Sequence, residues 1–83
     1  MSIRVTVELP ESTLAVLHET PDGLGRHVLE AAVAKWYEMA VLSQSKAAEA
    51  LSVSRSEFLD VLRRYGVSPI QVSPDEYETE FRP

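Results

Sequence analysis

The sequence predicts a mostly α protein: an N-terminal β-strand that dimerises, two helices, a second pair of helices around a tight turn, and an extended acidic tail. Three observations lead there. Residues 2–9 alternate polar with apolar side chains, and residues 24–65 carry apolar side chains at helical spacing between cap and turn residues. Residues 67–83 then combine prolines with carboxylates. The implied organisation is one helical domain over residues 1–66, with dimerisation in 1–42 and the second helix pair in 43–66, followed by a tail over 67–83.

Ile3, Val5, Val7 and Leu9 alternate with Ser2, Arg4, Thr6 and Glu8. That period of two, rich in β-branched residues, reads as a strand with one buried face. Pro10 ends it. A lone strand leaves backbone donors and acceptors without partners, and no second convincing strand follows, residues 70–72 being the nearest to one. The expected partner is the same strand of a second copy across a two-fold axis, giving a homodimer.

Glu11 to His18 reads as a short helix with Leu14, Ala15 and Leu17 on its apolar side. Thr20-Pro21-Asp22-Gly23 is a turn signal, with Asp22 as N-cap of a long helix from about Gly23 to Val41. Leu24, Val28, Ala31, Ala32, Lys35, Met39 and Leu42 recur along it at helical spacing. Trp36 and Tyr37 point to adjacent faces, so one of them enters a core. Ser43-Gln44-Ser45 breaks the pattern, and Ser43 or Ser45 caps a short helix from Lys46 to Leu51. After Ser52-Val53-Ser54 a further helix runs from Arg55 to Tyr65, ended by Gly66. Its start, Ser54-Arg55-Ser56-Glu57, has the capping-box pattern.

Residues 45–62 have the features of a helix-turn-helix. Ala48 is the small residue where two helices cross, and Leu51 and Val53 flank the turn. Phe58 and Leu62, at i and i+4, form the inner face of the second helix. Ser52 stands where a glycine is most frequent, which predicts strain or an altered turn. With the second helix in a major groove, Ser54, Arg55 and Ser56 would be its N-terminal exposed residues. Arg55 would meet a guanine edge or a phosphate, and Lys46, Arg63 and Arg64 would neutralise phosphates. Glu57 and Asp60 oppose that, and packing of two helices with solvated arginines is the plain alternative.

Charge is unevenly spread. The chain carries a net −5. Residues 1–42 hold three basic and six acidic side chains, residues 43–66 four and three, and residues 67–83 one and four. The helix-turn-helix segment is thus the part that is not acidic. Apolar residues make up 45% of the chain and charged residues 25%, which argues against wholesale disorder. The absence of cysteine excludes disulfides and thiolate metal sites. With no signal-peptide core and no membrane-length apolar run, a cytoplasmic location without membrane contact is expected.

Catalysis is not expected. His18 and His27 fall on different helices without metal-ligand spacing and read as surface residues, and the serines cluster at caps and turns. There is no glycine-rich phosphate loop, and no cofactor is implied.

Two resemblances extend this reading. The strand, short helix, turn and long helix resemble the ribbon-helix-helix fold, in which paired strands enter the major groove; that resemblance would turn Arg4, Thr6 and Glu8 toward DNA. The whole order resembles a family of small prokaryotic antitoxin-like helix-turn-helix proteins. Its carrying residues are Leu9-Pro10-Glu11, Trp36-Tyr37-Glu38, Ser45-Lys46-Ala47-Ala48-Glu49-Ala50-Leu51, Ser54-Arg55-Ser56-Glu57-Phe58-Leu59 and Tyr65-Gly66-Val67. Ser52 and Ser56 depart from the pattern. The resemblance implies the antitoxin of a toxin–antitoxin pair, with operator DNA and a toxin protein as partners. The tail would then bind the toxin through Ile70, Val72, Tyr77 and Phe81, its acidic residues suiting a basic nuclease groove. The alternative is a protein-interaction module without DNA contact.

Overall fold

A computed structural model describes residues 2–70. Four helices follow one another: α1 (Ser12–Val16), α2 (Pro21–Glu38), α3 (Gln44–Leu51) and α4 (Arg55–Arg64). The predicted strand is corrected. No strand occurs among the described residues, and residues 2–10 run as an exposed arm. Ile3 is 91% and Val5 76% exposed. The alternation marks a segment able to pair, but pairing needs a second row of donors and acceptors, and nothing among the described residues offers one. The ribbon-helix-helix expectation and the dimerising ribbon fall with it.

The helix boundaries follow from caps. α2 starts two residues earlier than expected: Thr20, not Asp22, is the N-cap, its hydroxyl accepting from the Gly23 N–H at 3.1 Å, with Pro21 in the first turn. Ser43 caps α3 in the same way, accepting from the Lys46 N–H at 3.2 Å, so Gln44 and Ser45 join the helix.

All four helices end alike. In each, one residue takes the left-handed conformation: His18 (φ 53°), Ala40 (φ 61°), Ser52 (φ 55°) and Gly66 (φ 67°). The N–H that follows it reaches back to a carbonyl five residues earlier: Glu19 to Leu14, Val41 to Trp36, Val53 to Ala48 and Val67 to Leu62. This is the Schellman closure, which satisfies carbonyls that a helix end leaves open. It also explains why α2 stops at Glu38, short of the Val41 expected from the apolar pattern. Glycine fills one of the four left-handed positions, so three carry a Cβ penalty.

The core lies between the second half of α2, α3 and α4. Val33, Ala34, Tyr37, Ala47, Ala48, Leu51, Phe58, Val61 and Leu62 are buried, with Leu42, Val53, Leu59, Tyr65 and Val67 packed at its margin. Phe58 is fully enclosed and meets Tyr37 edge-on at 5.2 Å between ring centres. Ala48 is buried where α3 meets its neighbours, as a close helix crossing requires. Tyr37 enters the core and Trp36 stays 47% exposed.

The expected stripe on α2 is rotated. The buried face is Glu30, Val33, Ala34 and Tyr37, while Ala31, Lys35 and Met39 face outward. Leu24 and Val28, half-buried, line a groove of about 370 Å³ beside the arm residues Val5, Val7 and Leu9. The apolar residues of α2 thus serve two faces, and the face holding the core contains a glutamate. Residues 2–29 supply nothing to the buried core. No helix among the described residues is long and apolar enough to cross a membrane.

Candidate nucleic-acid interface

α3 and α4 form a bihelical unit around a three-residue connection, Ser52 to Ser54. Its second helix is firmly started. The Ser54 hydroxyl accepts from the Glu57 N–H at 3.1 Å, and the Glu57 carboxylate accepts from the Ser54 N–H at 3.0 Å, completing the capping box. Those bonds, the backbone one first, hold the Glu57 carboxyl below its ordinary pKa. Glu57 is therefore engaged in the cap.

One face of α4 buries Phe58, Val61 and Leu62, and the other exposes Arg55, Ser56, Asp60 and Arg63. Ser54, Arg55 and Ser56 stand together at its N-terminus, where unpaired backbone N–H groups and the helix dipole favour an anion. Arg55 is tied to α3: its Nε donates to Gln44 Oε1 at 3.1 Å, and its Nη2 donates to the same oxygen. Sequence reasoning missed Gln44 by placing it in the break between helices. The Ser43 cap moves it into the first turn of α3, next to the start of α4.

The other cations of α3 and α4 are paired. Lys46 donates to Glu49 at 3.2 Å and Arg63 to Asp60 at 2.9 Å, both in exposed i,i+3 pairs. Such pairs contribute about 0–1 kcal/mol, so either cation can exchange its carboxylate for a phosphate at little cost. Arg64, though exposed, leans toward α2, its Nη1 donating to Glu30 Oε1 at 3.4 Å. Arg4 and Thr6 line the groove against the first half of α2, which includes no residue of α3 or α4. They are separate from the bihelical face. Of the expected tail anchors, Ile70 is 75% exposed, and Val72, Tyr77 and Phe81 lie outside the described residues.

A polar cluster behind this face was also missed. Glu30, 7% exposed, accepts from Arg26 Nε at 3.2 Å, from Tyr65 Oη at 3.1 Å and from Arg64. Arg26 also donates to the Leu51 carbonyl at 2.9 Å, joining α2 to the end of α3. Burial, then the bond to Glu30, raises the Tyr65 phenol above its ordinary pKa. His27, expected at the surface, is half-buried: its Nδ1 lies 3.1 Å from Glu19 Oε2, and its ring meets Tyr65 edge-on at 5.7 Å. A cleft of about 560 Å³ opens here, but its charged groups satisfy one another across α2 and α4. The cluster is a clamp that fixes α3 and α4 against α2. The available signal was spacing, since Glu30 is in register with Val33, Ala34 and Tyr37. Among the described residues no group of His, Asp and Glu side chains is arranged to hold a metal ion.

The described residues thus form a helical chain with a capped bihelical unit, in which Gln44 of the first helix holds the exposed Arg55 of the second. The chain belongs to the Uncharacterised protein family (UPF0175), which it matches over residues 1–83. No curated protein and no solved structure matches it.

Proposed function

We propose that this protein is a small DNA-binding regulator, the antitoxin of a toxin–antitoxin pair, acting as a homodimer on an inverted repeat and neutralising its toxin by protein binding. The observation that carries the DNA reading is Arg55, exposed in the first turn of a capped helix and braced by Gln44 from the preceding helix. Lys46 stands in the first turn of α3, and Arg63 on the exposed face of α4. Duplex contact through this face joins backbone neutralisation by Lys46 and Arg63 to readout by Arg55 and Ser56. Ser54, whose hydroxyl and N–H are both engaged with Glu57, holds the start of this helix in place. The resemblance to antitoxin-like proteins and the non-acidic balance of residues 43–66 point the same way. The toxin half rests on the acidic composition of residues 67–83 and on their apolar anchors, Ile70, Val72, Tyr77 and Phe81.

The test is anisotropy with the purified protein on its own upstream duplex and on a scrambled duplex, at two salt concentrations. Preferential binding that weakens steeply with salt is expected, and Arg55→Ala should abolish the preference. Equal or absent binding to both duplexes would refute the DNA reading.

One observation favours a second reading, a protein-interaction module without DNA contact. Ile3, Val5, Val7 and Val16 are exposed apolar side chains in a segment that adds nothing to the core. Surface of that kind marks a protein partner. A partner that co-purifies with the chain and is lost on polar substitution of Val5 and Val16, together with no DNA binding, would establish it.

A further inference from the structure

We infer that Gln44 is a positioning residue that commits Arg55 to a guanine base edge, so that each bihelical unit reads one G·C pair through a Gln44–Arg55 couple. The inference rests on the DNA-binding reading and deepens it by naming the base.

A guanidinium has two edges that can make paired hydrogen bonds. One is formed by Nε and Nη2, the other by Nη1 and Nη2. Gln44 Oε1 accepts from both Nε and Nη2, which fills the first edge. The second edge keeps its outward N–H groups. Guanine presents two acceptors, N7 and O6, in the major groove, and a paired arginine edge fits them. An unbraced arginine of this length samples many rotamers, and fixing them costs side-chain entropy. Gln44 meets that cost before the duplex arrives. Phosphate binding needs no such aim, because charge attraction tolerates many orientations. A braced arginine is therefore better suited to a base than to the backbone.

The geometry also assigns the remaining amide. With Oε1 turned to Arg55, the Gln44 Nε2 group keeps two N–H donors in the first turn of α3, beside the Ser43 cap. An amide donor at a helix start, next to an arginine aimed at a base, suits the flanking phosphate. Gln44 would then fasten the backbone and aim the reader at once.

The couple is tested on the full chain with its upstream duplex and a set carrying each single base-pair change. One G at a time is also replaced by 7-deazaguanine, which lacks the N7 acceptor. Wild type should lose about tenfold in affinity at one G·C pair, both on base change and on 7-deaza replacement. Gln44→Ala should flatten that position towards Arg55→Ala while leaving the rest of the profile and the helical circular dichroism unchanged. Gln44→Glu keeps the acceptor for Arg55 but repels phosphate, so it should retain the preference with uniformly weaker binding. Wild-type binding whose profile is unchanged in Gln44→Ala, or indifferent to 7-deazaguanine, would overturn the inference and leave DNA binding standing. Failure of wild type to prefer its upstream duplex would overturn both.

Discussion

Replacing Glu30 with alanine should destabilise the protein by about 2 kcal/mol, although no apolar contact of the core is lost. Glu30 is 7% exposed and accepts from Tyr65 at 3.1 Å, Arg26 at 3.2 Å and Arg64 at 3.4 Å. A hydrogen bond to a charged acceptor contributes about 1.5–3 kcal/mol, so the Tyr65 bond is the largest loss, near the lower end of that range. The two arginine pairs contribute less. The Arg64 side chain is 61% exposed and Arg26 44%, so both rehydrate when the carboxylate goes. Arg26 also keeps the Leu51 carbonyl. The total therefore stays below the 3–5 kcal/mol that an uncompensated buried charge would cost. Glu30→Gln retains an acceptor for Tyr65 and should lose about half as much.

Urea unfolding followed by circular dichroism reads this directly. At this chain length about 2 kcal/mol corresponds to a fall of roughly 8–16 °C in Tm. Combining Glu30→Ala with Tyr65→Phe should cost less than the two single changes added, because both remove the same bond. A Glu30→Ala protein as stable as wild type, or strict additivity with Tyr65→Phe, would refute the clamp.

Other outcomes follow from single features. Ser52→Gly should stabilise by about 0.5–1 kcal/mol, since relief of the left-handed penalty exceeds the added chain entropy; a lower urea midpoint would contradict it. Phe58→Ala should cost about 3–5 kcal/mol and leave a chain this small largely unfolded, visible as lost helical ellipticity at room temperature. The Glu57 carboxyl has a lowered pKa, so its contribution is present above the unfolded value, near 4.5, and is lost as pH falls through the folded one. Acid titration of Glu57→Gln should lack that part of the stability loss; superimposable curves would contradict the capping role. Deleting the residues after Ser73 should abolish toxin binding while leaving the helical signal intact, and unchanged binding would remove the tail from the toxin interface.

The bihelical unit was legible because its signals are local. Ser54 and Glu57 three residues apart specify a cap, and Phe58 with Leu62 specifies an inner face. Ala48 and Leu51 then set the crossing, and these two are buried in the core with Phe58 and Leu62. What failed depended on partners that sequence does not carry. Ile3, Val5, Val7 and Leu9 alternate as a strand does, but a strand is defined by its neighbour, and the arm has none among the described residues. On α2, apolar side chains occur on more than one face, so the stripe through Leu24, Val28 and Ala31 was as visible as the buried one. The buried stripe was further disguised by Glu30, whose charge is tolerated because Arg26, one turn earlier on α2, and Arg64 and Tyr65, at the end of α4, all donate to it. The left-handed closures at His18, Ala40 and Ser52 lack the glycine that would have announced them. Gln44 became readable only once Ser43 was seen to cap α3, which brings the glutamine to Arg55.

The central claim is that α3 and α4 present a duplex-binding face. The most direct measurement is a two-dimensional amide and side-chain NH spectrum of the isotope-labelled protein, titrated with its own upstream duplex. The account predicts that the signals of Gln44, Lys46, Arg55 and Ser56 shift first and furthest, with the Arg55 Nε–H among them. Shifts confined to the arm and α1, or a spectrum unchanged by the duplex, would contradict it.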